Sequence, residues 1–217
     1  MAGEQPVPLR RATLDLGGTL VPLWRAASLE QFVDADALLR NAAAPEPPYW
    51  MHLWPGAVAL ARMVLADAEL GAASRVVELG AGLGLPALVA ARRGARVVAT
   101  DWQRAPLRVL SRSLSDNGVA AACVQMDWAQ PALCGGFDLC LGADVAYDQA
   151  AEGALVAALA RLLGPGGRAW LADSVNTARI SLAETLAARG FIVTSREVRE
   201  EEEGRAVWVR VIEAQFP

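Results

Sequence analysis

The sequence predicts an α/β protein with a Rossmann-like, seven-stranded, mostly parallel sheet, an antiparallel C-terminal strand, and a small N-terminal hairpin and helix. Three observations predict this class. From residue 75 onward, short apolar runs alternate with helical patterns, which is typical of a parallel sheet covered on both faces. A glycine-rich turn joins the first of these strands to the helix after it. Only a short charged stretch separates the last two strands, which permits a hairpin but not a crossover.

Each element of the predicted sheet domain is an apolar run bounded by turn residues. The strands are predicted at residues 75–80, 96–101, 121–127, 137–145, 168–174, 191–198 and 205–213. The helices between them are predicted at residues 85–93, 103–117 and 148–163, and from after residue 174 to about residue 189. The sequences NG (117–118) and GPGG (164–167) are expected to end the second and third of these helices.

The N-terminal part does not show the alternation of strands and helices that begins at residue 75. Residues 12–24 predict a hairpin around two adjacent glycines, and residues 28–40 resemble a capped helix. The sequence PEPP (45–48) reads as a stiff linker, and a helix begins near Trp54 with proline in its first turn. We therefore divide the chain into an N-terminal extension, 1–48, and a main domain, 49–217.

Composition narrows the class of function. The chain has 217 residues, 54% of them hydrophobic, and a net charge of −4, which argues against a general nucleic-acid binder. All 20 basic residues are arginine, so no lysine of this chain can act in catalysis. The three cysteines lack paired-ligand spacing, which argues against a zinc site or a disulfide framework. No apolar run suits a signal peptide or a membrane span, so we expect the cytoplasm or an organelle matrix.

The glycine-rich turn predicts a ligand site. Gly80, Gly82 and Gly84 follow a G-x-G-x-G spacing, which differs from the dinucleotide pattern G-x-G-x-x-G, and no lysine follows as in a P-loop. Asp101 ends the next strand, where an acid can accept both hydroxyls of a ribose. Glu78 ends the first strand, where it can cap backbone amides, orient the loop or meet a ligand ammonium through water, and these roles are not exclusive. These residues predict a cofactor that contains adenosine.

Tryptophans follow the ends of two strands of the predicted sheet. Trp102 comes directly after Asp101, and Asp127-Trp128 closes the third strand. Each tryptophan alone would be read as core packing. Because ligands of open α/β sheets bind at the carboxyl ends of the strands, we expect the two rings and Asp127 to surround an adenine ring.

Several motifs together resemble the class I, seven-strand methyltransferases that depend on S-adenosylmethionine. The segments VVELGAGLG, VVATDW, MDW and LGADVAYD resemble the branch that methylates lysines of non-histone proteins. The motif D-x-x-Y of that branch is present as Asp144 to Tyr147, and residues 48–65 are similar to the lysine methyltransferases of the electron transfer flavoprotein β subunit. The resemblance covers residues 45–217. One departure is Glu78, where many family members carry aspartate.

The resemblance implies a cofactor, a partner and a set of site residues. The cofactor is S-adenosylmethionine, the partner is a lysine-bearing protein with the electron transfer flavoprotein β subunit as first candidate, and no metal, nucleic acid or membrane is expected. Asp144 and Tyr147 are the candidate catalytic residues, which would bind and orient the incoming ammonium. The candidate cofactor-binding residues are Trp54, Glu78, Gly80, Ala81, Gly82, Gly84, Asp101, Trp102, Asp127, Trp128 and Ala143.

Other interpretations of these residues stay open at this point. Asp144 could be the N-cap of the helix predicted at residue 148, with Tyr147 as a rim aromatic. His52, the single histidine, reads as a structural or rim residue. The run Glu200 to Glu203 is either a solvated hairpin tip or an acidic lip that attracts lysine. The same fold could also serve a small-molecule or nucleic-acid methyltransferase, or a subunit without activity.

Overall fold

The described residues of this computed structural model, 8–27, 48–146, 149–175 and 181–217, form two sheets, five α-helices and one 3-10 turn. The strands are β1 (Leu9–Asp15), β2 (Leu20–Ala26), β3 (Arg75–Glu78), β4 (Arg96–Asp101), β5 (Ala122–Gln125), β6 (Phe137–Ala143), β7 (Leu163–Ser174), β8 (Ile192–Glu202) and β9 (Arg205–Gln215). The helices are α1 (Pro55–Ala66), α2 (Leu85–Arg92), α3 (Arg104–Asp116), α4 (Gln149–Leu162) and α5 (Ser181–Ala188), and the 3-10 turn is Tyr49–Met51.

The larger sheet confirms the predicted fold class. Its seven strands lie in the order β5-β4-β3-β6-β7-β9-β8. Strands β3 to β7 pair in parallel, whereas β9 runs antiparallel to both β7 and β8. The carboxyl ends of β3, β4 and β6 therefore meet at one edge, which is where open α/β sheets bind their ligands.

The central strands of the sheet are buried on both faces, which explains their continuous apolar runs, whereas the edge strand β8 is largely exposed. Val76 and Val77 are both fully buried, but they belong to two different core clusters because successive side chains point to opposite faces. One cluster contains residues of α1, α2 and α3, and the other contains residues of α4 and α5. No helix within the described ranges is long and apolar enough to cross a membrane.

The N-terminal hairpin, β1–β2, was predicted and packs against α3. Val21 and Leu23 are fully buried in the same cluster as α1 to α3. The Trp24 ring lies 3.4 Å from the Arg112 guanidinium, and its Nε1–H donates to Asp116 at 2.9 Å. The division of the chain at residue 48 stays a prediction, as do the helix at 28–40 and the proline linker, which lie outside the described residues except for Pro48.

The prediction that GPGG lies between elements was wrong. Helix α4 ends at Leu162, one residue before its predicted end, and the glycines and proline lie inside β7. Here the pairing with β6 shifts register, since Phe137 pairs with Leu163 and Leu139 pairs with Arg168. A Cβ atom at Gly167 would stand 2.8 Å from the carbonyl oxygen of Phe137, so this irregular stretch of strand requires glycine.

The final hairpin is longer than predicted. Strand β8 reaches Glu202 and β9 begins at Arg205, which leaves a two-residue turn of Glu203 and Gly204. Both turn residues have positive φ, 50° and 78°, as tight hairpin turns with matching twist require. The charged run that was read as a connection therefore pairs residue by residue in the sheet.

Candidate active site

A cleft opens at the carboxyl ends of β3, β4 and β6. Ten of its lining residues were predicted from sequence: Trp54, Gly80, Ala81, Gly82, Gly84, Asp101, Trp102, Trp128, Ala143 and Asp144. The sequence reasoning did not assign a ligand-binding role to nine others: Tyr49, Trp50, His52, Leu53, Ala57, Leu83, Leu85, Gln103 and Val145. Four of these nine lie in YWMHLW (49–54), a segment whose density of aromatic residues was the available signal.

The glycine loop between β3 and α2 runs through the left-handed region of backbone space. Gly80 has φ 61°, and a Cβ atom there would stand 2.8 Å from Val145 and 3.1 Å from the Trp128 ring. Gly84 also has positive φ, but a Cβ atom there would collide with Leu110 of α3. The loop thus needs glycine for two separate reasons, the shape of the cleft at Gly80 and helix packing at Gly84.

Glu78 stabilises the start of helix α2, directly after the glycine loop. Its side chain is fully buried, and Oε2 accepts a hydrogen bond from the backbone N–H of Ala87 at 2.8 Å in the first turn of α2. Burial raises the pKa of Glu78 to about 8, and the neighbouring charge of Asp101 acts in the same direction. The structure therefore gives Glu78 a capping role, and this residue lies behind the cleft wall.

Asp101 fixes the loop from the side. Its Oδ2 accepts a hydrogen bond from the N–H of Gly82 at 3.0 Å, and its Oδ1 accepts one from the N–H of Gln103 at 2.9 Å. Burial raises the pKa of Asp101 above its usual range, while these backbone donors oppose the rise. Each carboxylate oxygen has a second lone pair, so Asp101 can still accept a hydrogen bond from a ligand hydroxyl in the cleft.

Trp102 and Trp128, which were predicted to contact adenine, differ in exposure to solvent. Asp127, predicted with them, is not among the described residues that line the cleft. Trp102 is 59% exposed at the cleft edge, whereas Trp128 packs beside Gly80 and against the core under α4. Asp127 is exposed and accepts a hydrogen bond from the N–H of Ala129 at 2.8 Å. Its proposed contact with an adenine ring stays a prediction.

Asp144 directly follows β6 and has an unusual backbone conformation. Its φ is 52°, in the left-handed region that few residues other than glycine adopt. Oδ2 accepts a hydrogen bond from the N–H of Gly56 at 3.1 Å, and Oδ1 accepts one from the N–H of Ser174 at 2.9 Å. Asp144 therefore caps α1, which is distant in sequence. The alternative in which it caps the helix predicted at residue 148 concerns residues outside the described ranges and stays a prediction. Burial raises its pKa, and the charge of Glu202 adds to that rise.

A second acid, Asp173, stands beside Asp144 and was missed from sequence. It is buried on β7, and its Oδ1 accepts a hydrogen bond from the N–H of Ala146 at 3.2 Å. Burial and the charge of Asp144 raise the pKa of Asp173 to about 7. Tyr147, the other candidate catalytic residue, lies outside the described residues, so its role stays a prediction.

The opposite rim of the cleft is aromatic. The His52 ring meets the Trp54 ring edge-on, with centroids 4.7 Å apart, and Trp54 Nε1–H donates to the carbonyl oxygen of Tyr49 at 3.0 Å. His52 Nε2 lies 2.7 Å from Oε1 of Glu202, at the end of the β8–β9 hairpin. His52 is thus a rim residue, as expected, and Glu202 is joined to that rim.

The charges of the lining fit a cationic ligand. Although the chain carries 20 arginines, none is among the described lining residues, and the carboxylates of Asp101 and Asp144 face the cleft. A pyrophosphate would meet these acids without a compensating cation, whereas a sulfonium or an ammonium would be attracted to them. With its glycine loop, aromatic walls and strand-end acid, the cleft fits S-adenosylmethionine better than a dinucleotide.

Comparisons with known sequences agree with this geometry. A family model described as lysine methyltransferase matches residues 48–176. The chain is 33% identical over 131 residues to the electron transfer flavoprotein beta subunit lysine methyltransferase of Danio rerio, a match that covers 60% of this chain and 46% of the relative. It is 35% identical over 107 residues to the histone-arginine methyltransferase METTL23 of Xenopus laevis, covering 46% of each. The chain thus spans about half the length of these curated relatives.

Solved methyltransferases share the fold. The 16S rRNA N2 G1207 methyltransferase RsmC of T. thermophilus, in complex with AdoMet and guanosine, has a TM-score of 0.67 at 20% identity, covering 100% of this chain and 53% of that one. Magnesium protoporphyrin IX methyltransferase of Synechocystis, with bound SAM, has a TM-score of 0.61 at 20% identity, covering 74% and 78%. These likenesses establish the architecture, and the family match extends over more than half of the sequence. The chain therefore belongs to the lysine methyltransferase family.

Proposed function

We propose that this protein transfers a methyl group from S-adenosylmethionine to lysine side chains of a protein substrate. The observation that carries the proposal is the distribution of charge in one cleft, where Asp101 lies at the end of β4 and Asp144 at the end of β6, with no arginine among the described lining residues. The first candidate substrate is the electron transfer flavoprotein β subunit, because the Danio rerio relative is named for that target.

The cofactor half of the cleft is the part around β3 and β4. Asp101 would accept hydrogen bonds from ribose hydroxyls with its remaining lone pairs, and Gly80 and Gly82 line the same cleft beside it. Trp102 and Trp128 supply apolar faces for an adenine ring. When bound, S-adenosylmethionine supplies a methyl group on a sulfonium, so alignment is the main demand that remains on the protein.

The acceptor half of the cleft is the part around β6 and α1. Asp144 presents a carboxylate that is held by two backbone donors, and a lysine ammonium that enters the cleft would be attracted to it. The aromatic side chains of Trp54 and Tyr49 line the approach and can contact the methylene groups and the charge of the lysine. Asp144 thus binds and orients the acceptor.

The acceptor nitrogen must lose a proton before it can attack, because an ammonium has no lone pair. The ordinary pKa of lysine is about 10.4, and partly apolar walls lower it by disfavouring the charged form. The released proton passes to water at the open mouth of the cleft. Asp144 therefore does not have to be a strong base, which agrees with its fixed hydrogen bonds to Gly56 and Ser174.

The test is transfer of label from tritiated S-adenosylmethionine to purified electron transfer flavoprotein β subunit, followed by mass spectrometry of the modified peptide. Label on a lysine is the expected result. The assay has a low background, because the 217 residues contain no lysine on which the enzyme could modify itself.

Two outcomes would count against parts of the proposal. Label on another protein of a cell lysate, with none on the β subunit, would replace the candidate substrate but keep the chemistry. Label on arginine or on RNA, with none on any lysine, would overturn the proposal of lysine methylation. The Asp101→Ala variant serves as the control that lacks the ribose acid.

A further inference from the structure

The β8–β9 hairpin extends beyond the sheet on the side of the cleft. Strand β7 pairs with β9 as far as Ser174 and Val209, so residues 199–208 continue past this point toward the rim. The cleft lies at the carboxyl ends of the parallel strands, which is the same edge. The end of this hairpin is therefore a neighbour of the proposed acceptor site.

Contacts with α1 hold the hairpin end in place. Glu200 has a side chain that is 7% exposed, and its Oε2 lies 3.3 Å from Nε of Arg62 on α1. On the same face of β8, two residues later, Glu202 contacts His52 at 2.7 Å. The interpretation of Glu200 to Glu203 as a freely solvated tip is therefore wrong for these two residues, since each has a specific partner in the body of the domain.

Glu202 adds a carboxylate beside the acceptor half of the cleft, because it contacts His52 of the cleft lining. Its side chain is 33% exposed and that of His52 is 15% exposed, so the pair is partly shielded from solvent. The charge of Glu202 contributes to the raised pKa of Asp144, which means that the two carboxylates interact across the rim. Because like charges repel each other, a cation bound between the two carboxylates would relieve the repulsion.

We propose that Glu202 is a specificity-determining residue, which acts with Asp144 to favour a cationic acceptor and is held in position by His52. The inference rests on the proposed function, because it concerns the acceptor half of that same cleft. Its geometric basis is the chain of contacts from Glu202 to His52 and from His52 to Trp54, where the last two residues line the cleft together with Asp144.

The experiment measures binding of a lysine side-chain mimic without any methyl transfer. The protein is saturated with S-adenosylhomocysteine and titrated with n-butylammonium or with neutral 1-butanol, and the indole resonance of Trp54 reports binding by NMR. Glu202→Gln removes the charge but keeps an oxygen that can accept from His52. Glu201→Gln is the matched control, since Glu201 is exposed on the other face of the strand.

We expect Glu202→Gln to raise the dissociation constant of n-butylammonium by roughly fivefold, the range for one partly screened charge pair. Binding of 1-butanol and the behaviour of Glu201→Gln should stay as in the wild type. Equal n-butylammonium affinity in Glu202→Gln and wild type would overturn the inference. A parallel loss for both probes would also overturn it, because it would indicate only a structural role.

Further measurements keep the inference separate from the proposed function. If Glu202→Gln does not fold, Glu202→Asp keeps the charge and should keep the preference for n-butylammonium over 1-butanol; loss of that preference in a folded Asp variant would contradict the account. A wild-type protein that prefers the cation but methylates no lysine would sink the proposed function and not this inference. If Glu202→Gln methylates lysine with an unchanged KM for the protein substrate, the inference about Glu202 is contradicted and the proposed function is kept.

Discussion

The two halves of the cleft hold their carboxylates by different kinds of contact. At the ends of β3 and β4, Glu78 and Asp101 accept hydrogen bonds from amides of the loop and helices directly after these strands. At the end of β6, Asp144 accepts from Gly56, which is 88 residues away, and from Ser174, which is 30 residues away. The cofactor half is thus built within one β-α-β segment, whereas the acceptor half joins β6, β7 and α1.

This difference predicts how the two halves respond to change. A substitution in α1 should disturb Asp144 and leave the loop at Gly80 and Gly82 in place, since that loop depends on its own segment. A substitution of Asp101 should disturb the loop and leave Asp144 in place. Cofactor binding and acceptor chemistry are therefore expected to be separable by mutation.

The largest effect is expected for Asp144→Asn, in the rate of methyl transfer. The variant loses the negative charge, and turnover at saturating cofactor should fall by about 10²-fold or more, the usual scale for a positioned polar group. An amide has only one acceptor oxygen, so the N–H of either Gly56 or Ser174 also loses its partner. Single-turnover methylation measures the rate, and a wild-type rate would leave Asp144 as a helix cap only.

The next effect is expected for Asp101→Ala, in affinity for the cofactor. Loss of the hydrogen bonds of a charged group should weaken binding of S-adenosylmethionine by about 1.5–3 kcal/mol, as measured by titration calorimetry. The N–H groups of Gly82 and Gln103 also lose their acceptor, so the melting temperature should fall as well. Unchanged affinity would remove Asp101 from the cofactor site.

A smaller effect is expected for Gly56→Ala, in stability. A Cβ atom at this position would collide with the carbonyl oxygen of Ala172 and with Oδ2 of Asp144, and overpacking of this kind costs about 1–3 kcal/mol. Gly153→Ala is the matched control, because among the described residues no atom beyond its own stretch of helix α4 lies within 4 Å of the added carbon. The control should be neutral or more stable in urea denaturation, and equal destabilisation of both variants would speak against the contact between α1 and Asp144.

An effect of a different kind is expected for Glu78→Gln, in the pH dependence of stability. Burial raises the pKa of Glu78 to about 8 from an ordinary value near 4.5, so the folded protein holds a proton that the unfolded chain releases. The stability from this proton is complete below the ordinary value and is lost as the pH rises through about 8, with a slope of up to about 1.4 kcal/mol per pH unit.

Glutamine cannot ionise, so the Gln variant should lose less stability than the wild type on going from about pH 5 to about pH 8. The slope should not vanish, because burial also raises the pKa of Asp101, Asp144 and Asp173. Urea denaturation across this range measures the slope. A slope identical to that of the wild type would mean that Glu78 is already ionised in the folded protein.

The same difference between the two halves explains what the sequence could predict. Gly80 follows β3 and Asp101 ends β4, the next strand along the chain. Their spacing in the sequence therefore already indicates that they lie close together at the same edge of the sheet. The parallel sheet and its antiparallel C-terminal strand also followed from local alternation and connection length, whereas the order of the strands was not predicted. Glu78 was placed at the right strand end, with its capping role as one of two alternatives.

The acceptor half could not be predicted in the same way. The contact of Asp144 with Gly56 depends on how α1 packs against β7, and no spacing in the sequence encodes that packing. Asp173 was missed because an acid near the end of an apolar run indicates only where the strand stops, and not that the side chain is buried beside another acid. The partners of Glu200 and Glu202 were missed because a run of four acids is typical of a solvated turn. The sequence alone does not indicate which of these acids contact other residues of the domain.

The central claim is that residues at the carboxyl ends of β3 and β4 bind the cofactor, whereas residues at the end of β6 and near the start of α1 bind the acceptor. The most direct measurement compares Asp101→Ala and Asp144→Asn in two assays: calorimetric affinity for S-adenosylmethionine, and single-turnover transfer to a lysine-bearing protein at saturating cofactor. The account predicts that Asp101→Ala loses affinity and recovers most of its rate at saturation, whereas Asp144→Asn keeps affinity and loses rate by about 10²-fold. Equal loss of cofactor affinity in both variants would contradict it.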